Sequence, residues 1–377
     1  MSEANVAKAG LEGVVAAESS ISDVNGIEGR LIYYGYDIHD LAEHATFEEI
    51  VFLLWNGRLP TQSELDGIKE RLNREAALPA EIKQLLKFLP ASANPMEILR
   101  TTVSALAFYD PDGADMSREA NVRRAVRLTA KFPIIVATFE RVRKGLDPIE
   151  PRSDLSTAGN FLYTLRGELP DDVATRTMDV AFILHADHEL NASTFAARIT
   201  AATLSDMYSA VVSAIGTLKG PLHGGANEGV IKNLVEIGSV EGVEAWLKDA
   251  LAKKKKIMGF GHRVYRTEDP RATHLREMSR QLGEQTGEMK WYEMSRRMEE
   301  AMKREKGLNA NVDFYSASTY YALGIETDLF TPIFACSRIA GWTAHVLEQY
   351  DNNRLIRPRA EYRGPRGLKY MPLGQRG

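Results

Sequence analysis

Apolar residues that recur every three or four positions are the feature that most constrains this chain, because that period matches one face of an α-helix. One such stripe consists of Met207, Val211, Ile215 and Leu218. Gly220 and Pro221 follow it directly and are expected to end the helix. Similar stripes end at Gly238 and at Gly307, and Asp269-Pro270 is typical of a helix start. The pattern predicts an all-α fold.

Strand-like composition is confined to the beginning of the chain. Residues Glu12–Ala17 and Arg30–Tyr36 are rich in β-branched and aromatic residues and are separated by glycines. The chain shows no alternation of strands with helices and no repeat. We therefore expect a minor N-terminal β-hairpin beside the helices.

Charge and cysteine content exclude several classes of protein and site. The 377 residues include 47 Lys and Arg against 51 Asp and Glu, so a net charge of −4 gives no overall attraction to nucleic acid. The single cysteine, Cys336, excludes an internal disulfide and a cysteine-based zinc site. No apolar run approaches the roughly 18 residues that cross a bilayer, and no signal peptide is recognised. We expect a cytoplasmic protein with neither a nucleic-acid nor a membrane partner.

Two glycine-rich segments each present one histidine. His223 lies between a helix stop and a helix start, where the helix dipole favours a neutral imidazole. His262 follows Gly259-Phe260-Gly261 and is surrounded by arginines, which suit carboxylates or phosphates. The pattern lacks the third glycine and the preceding strand of a dinucleotide-binding loop. Each histidine, taken alone, is more typical of a polar or basic surface loop.

Four further residues could carry chemistry. Asp313 lies between Val312 and Phe314, and packing of that stretch would raise its pKa and make it a better base. Arg338 interrupts an apolar segment and must meet an anion, either a structural carboxylate or a ligand. His185 and His188 are three residues apart and could share a helix face, as a metal-binding, core or ligand-binding pair.

Taken in order, these segments resemble the citrate synthase family, in its short bacterial and archaeal form. The motifs that carry the resemblance are HADHELNAST, GPLHGGANEGV, IMGFGHRVYRTEDPRA, NVDFYSA, FACSRIAGW and RLIRPRAEYRGP, together with the N-terminal GLEGVVAAESSISDVNGIEGRLIYYGYDI. They span essentially the whole chain. The family condenses an acyl-CoA with oxaloacetate and hydrolyses the resulting thioester.

The resemblance implies a role for each matching residue. Asp313 would act as the base, His223 would hydrogen-bond the thioester oxygen, and His262 would polarise the ketone of oxaloacetate and donate a proton. The residues expected to bind oxaloacetate or citrate are His188, Arg271, Arg338, Arg357 and Phe334. Those expected to bind CoA are Ile257, Met258, Gly259, Phe260, Arg266 and Lys306. The resemblance implies no metal and no cofactor, since acetyl-CoA is a substrate.

The resemblance also implies an architecture. Residues 1–223 and 323–377 would form a large helical domain that carries the dimer interface and the oxaloacetate site. Residues 224–322 would form an inserted small domain that binds CoA and carries the base. The protein would be a homodimer in which Arg357 reaches the site of the other subunit, and the two domains would close on oxaloacetate.

Three alternatives remain open at this point. A 2-methylcitrate synthase would use the same residues with propionyl-CoA, because one methylene in an apolar pocket gives only about 1–3 kcal/mol of discrimination. A helical metal-dependent phosphohydrolase would use His39, Asp40, His44, His185 and Asp187, but would leave the glycine–histidine loops unexplained. A non-enzymatic helical scaffold would need none of these residues.

Overall fold

The computed structural model describes residues 9–11 and 13–376. Within these residues the chain forms sixteen α-helices and three short β-strands, which confirms the all-α fold class. The helices are α1 (Ile38–His44), α2 (Phe47–Asn56), α3 (Gln62–Ala76), α4 (Ala80–Phe88), α5 (Pro95–Leu106), α6 (Arg118–Arg143), α7 (Thr157–Arg166), α8 (Asp172–His185), α9 (Ala192–Ala201), α10 (Met207–Leu218), α11 (Ala226–Ile237), α12 (Gly242–Ala252), α13 (Pro270–Thr286), α14 (Lys290–Lys306), α15 (Val312–Ala322) and α16 (Phe330–Asp351). In the described part of the chain, none of them is both long and apolar enough to cross a bilayer.

The strands form one small antiparallel sheet near the N-terminus. Its order is β1 (Ser22–Asn25), β2 (Arg30–Tyr33) and β3 (Tyr36–Asp37). A small N-terminal hairpin is present, but β2 pairs with β1 rather than with residues 12–17, and the stretch Arg30–Tyr36 is divided between β2 and β3. The strand expected at Glu12–Ala17 is wrong. Glu12 lies outside the described residues, and residues 13–17 form a turn and irregular chain in which Val15 is 89% exposed. Apolar side chains there have no buried face to cover, so a β-branched composition does not by itself produce a strand.

Helix boundaries follow from local chemistry, as the sequence predicts. The Asp206 side chain accepts a hydrogen bond from the Ser209 N–H at the start of α10, and Asp269 does the same for the Arg271 N–H at the start of α13. α11 and α14 end at Gly238 and Gly307, both in the left-handed conformation that glycine adopts without strain. These ends place loops, rather than helix interiors, around the candidate site.

Helix α16 is the central element of the larger group of helices. It is buried over most of its length and packs against α2, α6, α8, α9 and α10. A helix that is apolar on all sides is stable only when other helices surround it. Its Trp342 is fully buried, lies edge-on to Phe132, and donates from Nε1 to Ser193 Oγ at 3.1 Å. The core is therefore connected directly to the segment that carries the histidines.

The loop after α8 lies directly on α16 because Gly341 has no side chain. The Gly341 N–H donates to the Ala186 carbonyl at 3.1 Å. An added Cβ at Gly341 would overlap the Ala186 carbonyl oxygen and Asp187 Oδ1, and would lie 3.1 Å from Asp187 Cβ. This close approach holds residues 185–188 beside α16, at the level of Arg338.

Helices α11 to α15 form a second packed group. α13 and α11 both pack against α15, and α12 packs against α14. α13 also contacts α8 and α1, so it links this group to the larger one. The division into residues 1–223 with 323–377 and residues 224–322 remains a prediction. Both α13 and α11 contact the two sides of the proposed boundary, since α11 also packs against α16.

We predict that Gly341→Ala lowers the free energy of unfolding by about 1–3 kcal/mol, because the added methyl group must displace backbone atoms of the α8 loop. Gly216→Ala in α10 is the matched control, since a Cβ there meets nothing within 4 Å and alanine favours the helix. Urea unfolding of both variants measures the difference. Equal stability of the two variants would contradict the packing argument.

Candidate active site

Loops and helix ends from both groups of helices meet at one place. The His188 ring centroid lies 5.4 Å from that of His262, and the charge of Arg338 acts on His188, His223 and Asp313. The charge of Arg271 acts on His188, His262 and Asp313. Residues predicted from separate segments of the sequence therefore share one electrostatic environment.

His223 is held as a neutral imidazole of defined tautomer. Its Nε2 accepts the backbone N–H of Ser193 at 3.2 Å and lies 2.7 Å from Ser193 Oγ. Because a backbone N–H can only donate, Nε2 is unprotonated and the ring proton lies on Nδ1. Burial, with the charge of Arg338, lowers the His223 pKa to about 4. Nδ1–H is thus available to donate to a developing oxyanion at neutral pH.

His262 is held in the opposite tautomer. Its Nδ1 accepts the backbone N–H groups of Val264 at 3.0 Å and Tyr265 at 3.2 Å, so the proton lies on Nε2. Burial and the charge of Arg271 lower the His262 pKa to about 4. The Tyr265 hydroxyl lies 3.1 Å from Nε2 of His188, which joins the two histidine loops.

Arg271 is oriented by a buried carboxylate two residues before it. Asp269 Oδ1 accepts from Arg271 Nε at 2.9 Å, and Oδ2 accepts from Nη2 at 2.8 Å. Although burial alone would raise it, the pKa of Asp269 is held low by Arg271. Asp269 Oδ2 also accepts the Val312 N–H at 3.1 Å. One carboxylate therefore fixes both the arginine and the start of the helix that carries Asp313.

Arg338 is almost fully buried on α16. Its Nε donates to the His185 carbonyl at 2.7 Å, and its guanidinium lies 4.6 Å from the centre of the Phe334 ring. Within residues 9–11 and 13–376, Nε is its only nitrogen that makes a hydrogen bond, so the two terminal nitrogens remain free for an anion. Burial lowers the Arg338 pKa to about 10, so the side chain is still charged at neutral pH.

Asp313 occupies the first turn of α15. The Asn311 side chain caps this helix and accepts the Asp313 N–H at 3.1 Å. Burial raises the Asp313 pKa to about 6; the charge of Arg271 opposes this and that of Asp269 adds to it. A carboxylate that is ionised at neutral pH but holds its proton this tightly is suited to general-base catalysis.

The segment that precedes His262 is paired with the segment that precedes Asp313. Phe260 and Ala310 form an isolated antiparallel bridge, and Asn311 donates to the Gly259 carbonyl at 2.9 Å. Gly259 is itself buried, with φ +84°, and a Cβ there would lie 2.6 Å from Val230 Cγ2. Since no side chain fits there, residue 259 can contact a ligand only through its backbone groups.

Other predicted residues occupy less enclosed positions. Ile257 is buried, and Met258 is half-buried, in contact with Gly229 of α11. Arg266 and Lys306 are exposed, as a phosphate-binding side chain requires. Arg357 is exposed in the segment after α16, and in the described part of the chain it makes no hydrogen bond or ion pair. The single chain does not bring Arg357 to the other arginines.

Comparison with known proteins is consistent with this geometry. The family model "Citrate synthase, C-terminal domain" matches residues 10–359. "Citrate synthase 2" of Bacillus subtilis is 58% identical over 97% of this chain and 98% of its own. The "Citrate/2-methylcitrate synthase" of the same organism is 44% identical over 95% of this chain and 96% of its own. The chain belongs to the citrate synthase family.

A solved structure of the same family superposes closely. Citrate synthase of Thermoplasma acidophilum, described as a ternary complex with carboxymethyl coenzyme A and oxaloacetate, has a TM-score of 0.91 and 34% identity over 98% of this chain and 99% of its own. The protein is therefore an acyltransferase with the citrate synthase fold. The phosphohydrolase and scaffold alternatives are displaced by this membership.

The residues of the phosphohydrolase alternative are also held in other contacts. His39 Nδ1 lies 2.8 Å from His274 Nε2, and Asp187 accepts from Ser22 Oγ at 2.5 Å. His185 Nδ1 lies 2.7 Å from the Ala181 carbonyl. Within residues 9–11 and 13–376, no three histidine, cysteine or carboxylate side chains are grouped to hold a metal ion.

Sequence reasoning missed the residues that orient the predicted ones. Ser193 determines the tautomer of His223, Tyr265 connects two histidines, and Asp269 acts on Arg271 as well as capping α13. Asp187 lies behind His188 and is paired with His345 at 3.3 Å. Ser193 and Tyr265 lie inside the quoted motifs, and that position was the one signal available for them.

We predict that Asp313→Asn stabilises the protein while removing activity. The folded-state pKa of about 6 exceeds the ordinary 3.8, so ionising Asp313 above pH 6 opposes folding. An amide removes that cost, and the free energy of unfolding should rise by up to about 3 kcal/mol at pH 7. The gain should disappear below about pH 4, where the carboxyl is protonated in both states. Urea unfolding at pH 7 and pH 4 measures both values.

Asp172→Asn is the matched control for this prediction, because Asp172 also occupies the first turn of a helix, α8, but is exposed. It should change stability by less than about 1 kcal/mol. Loss of base function should lower the rate of Asp313→Asn by about 10²–10⁴-fold. Equal stability of Asp313→Asn and wild type at pH 7 would contradict the raised pKa.

Proposed function

We propose that this protein condenses acetyl-CoA with oxaloacetate and water to give citrate and CoA. The observation that carries the proposal is the pairing of two neutral imidazoles of opposite tautomer with one carboxyl of raised pKa. His223 offers Nδ1–H, His262 offers Nε2–H, and Asp313 offers a base. Proton abstraction from a methyl group next to a thioester needs these three functions together.

The first chemical step forms the nucleophile. The Asp313 carboxylate takes a proton from the methyl carbon of the acyl group, and the C–H electron pair moves into the enolate. His223 donates Nδ1–H to the thioester oxygen, where negative charge develops. A neutral donor that does not lose its proton at this pH stabilises the enolate through a preorganised hydrogen bond.

The second step forms the new carbon–carbon bond on oxaloacetate. Arg271 and Arg338 bind the carboxylates of the substrate, and His188 lies beside its ketone oxygen. The enolate carbon attacks the ketone carbon, and His262 supplies the Nε2 proton to the oxygen that becomes the hydroxyl group. Water then adds to the thioester carbon and the C–S bond breaks, so that CoA leaves as the thiol with one proton of that water. The proton that Asp313 had taken returns to His262. No cofactor takes part in this sequence.

We propose that CoA lies along residues 257–260, with Arg266 and Lys306 at its phosphates. The two side chains are exposed and cationic, which suits contact with a polyanion that remains partly in solvent. Burial of Gly259 limits its contribution to backbone groups.

We also propose a homodimer in which Arg357 acts in the partner's site. The chain after α16 runs to residue 376 with one short 3-10 turn, and it carries several exposed apolar side chains: Leu355, Tyr362, Leu368, Tyr370 and Leu373. Exposed apolar residues in one segment are typical of a surface that another protein covers.

We infer a cytoplasmic location from the lack of any cysteine besides Cys336.

The reaction is tested by thiol release from acyl-CoA with and without oxaloacetate. We predict oxaloacetate-dependent release, with acetyl-CoA several-fold more efficient than propionyl-CoA in kcat/KM. Comparable or greater efficiency with propionyl-CoA would assign the protein as a 2-methylcitrate synthase, a reading favoured by the match to the Citrate/2-methylcitrate synthase of B. subtilis. No release with either substrate would refute both assignments.

The contribution of Arg357 across the interface is tested by mixing two inactive variants. Arg357→Ala and Asp313→Asn should each be inactive alone, whereas a mixed dimer contains one site with both native residues. We predict that statistical mixing by co-expression restores about a quarter of the wild-type rate, since half of the dimers are mixed and each has one intact site. No restoration would mean that Arg357 acts within its own chain, whereas an active Arg357→Ala homodimer would mean that it plays no part in the site.

A further inference from the structure

The loop between β1 and β2 makes an unusually close contact with the segment that follows His262. This loop, the hairpin tip, consists of residues 26–29. An added Cβ at Gly26 would overlap the Val264 carbonyl oxygen and lie 2.7 Å from its carbonyl carbon. Gly26 does not have a positive φ, so space rather than backbone conformation requires glycine there. At the other end of the tip, a Cβ at Gly29 would lie 3.0 Å from the Glu268 carbonyl oxygen.

A hydrogen bond runs between the same two segments. The Arg266 N–H donates to the Gly26 carbonyl at 2.8 Å. The tip is itself rigid, because the Asn25 side chain accepts the N–H groups of Ile27 at 3.1 Å and Glu28 at 3.0 Å. A preorganised turn therefore holds the backbone of residues 264–266 at a fixed position.

The backbone that the tip contacts is the backbone that orients His262. Val264 and Tyr265 supply the two N–H donors to His262 Nδ1, and Arg266 is the next residue in the chain. Residues 264–266 thus have one edge on the hairpin tip and the other on the imidazole. The far end of the loop is anchored separately, by Asp269 on Arg271.

We propose that the hairpin tip is a positioning element for His262, acting through the Gly26 contact with residues 264–266. By holding the Val264 and Tyr265 N–H groups in line with Nδ1, it keeps the proton on Nε2, toward the ketone of oxaloacetate. The proposal rests on the function proposed above for His262. It assigns a catalytic consequence to a segment that is remote in sequence from every predicted site residue.

The two hydrogen bonds to His262 explain why a small displacement of residues 264–266 would lower the rate. Two N–H donors converge on one nitrogen, and both angles change when the turn at residues 264–265 rotates. Loss of both donors would let His262 adopt the other tautomer, in which Nε2 has no proton to donate. A misplacement of about 1 Å at a catalytic group can cost about 10²-fold in rate.

The decisive variant is Gly26→Ala, with Ile27→Ala as its matched control on the same tip, since the Ile27 side chain is 84% exposed. We expect Gly26→Ala to lower kcat by about 10²-fold while KM for acetyl-CoA changes less than threefold. Ile27→Ala should retain the wild-type kcat. In a His262→Asn background, Gly26→Ala should have no further effect, because the group that it positions is gone. An unchanged kcat in Gly26→Ala, or an equal loss in the His262→Asn background, would overturn the proposal.

The tautomer of His262 can be measured directly, in the wild-type protein and without any assay of catalysis. In imidazole ¹⁵N NMR spectra of the wild-type protein at pH 7, His262 should show a proton on Nε2 and a hydrogen-bonded, unprotonated Nδ1. If Gly26→Ala folds, its His262 signals should shift toward a mixture of tautomers, whereas those of Ile27→Ala should not. A wild-type His262 with its proton on Nδ1 would overturn the positioning role. An inactive wild-type enzyme with the expected tautomer would instead refute the proposed function.

Discussion

The site depends on the hydrogen bonds that the buried carboxylate of Asp269 accepts. This carboxylate caps α13, binds Arg271 through two parallel hydrogen bonds, and accepts the Val312 N–H at the start of α15. A buried anion is costly unless its lone pairs are filled, and here donors from two helices fill them. Because both helices are tied to the same group, Arg271, proposed to bind substrate, and Asp313, the proposed base, keep a fixed separation.

The pKa values of the site residues follow from burial combined with neighbours of different charge. His223 and His262 lose solvent close to arginines, so both stay neutral and can donate without carrying charge. Asp313 also loses solvent, but it meets both Arg271 and Asp269, so its pKa rises only to about 6. One set of charges therefore keeps two donors neutral and one base ionised at neutral pH.

Much of this arrangement is predictable from local sequence. Helix periods, the Asp269-Pro270 start and the glycine ends at Gly238 and Gly307 correspond to the observed boundaries. The strand expected at Glu12–Ala17 fails because β propensity expresses burial against neighbours, which composition does not report. The candidate histidines, Arg271, Arg338 and Asp313 were all identified, but their orienting partners were not. Ser193 and the hairpin tip act through backbone groups or close approach, and Tyr265 acts through its hydroxyl as well as its N–H. None of these contacts depends on a distinctive residue pattern.

The sequence by itself determined the helical class, the helix ends and the chemical types available, because those depend on interactions within a few residues of one another. Only the tertiary structure decided which tautomer each histidine adopts, since the deciding donors come from Ser193 for His223 and from a turn braced by Gly26 for His262. It also decided the Asp313 pKa, which burial of the carboxyl raises, with the charge of Arg271 opposing the rise and that of Asp269 adding to it. Hydrogen-bond direction and desolvation are properties of neighbours in space. For His223 and Asp313 those neighbours are distant in the chain, and for His262 the nearby donors lie in a turn that the distant Gly26 contacts.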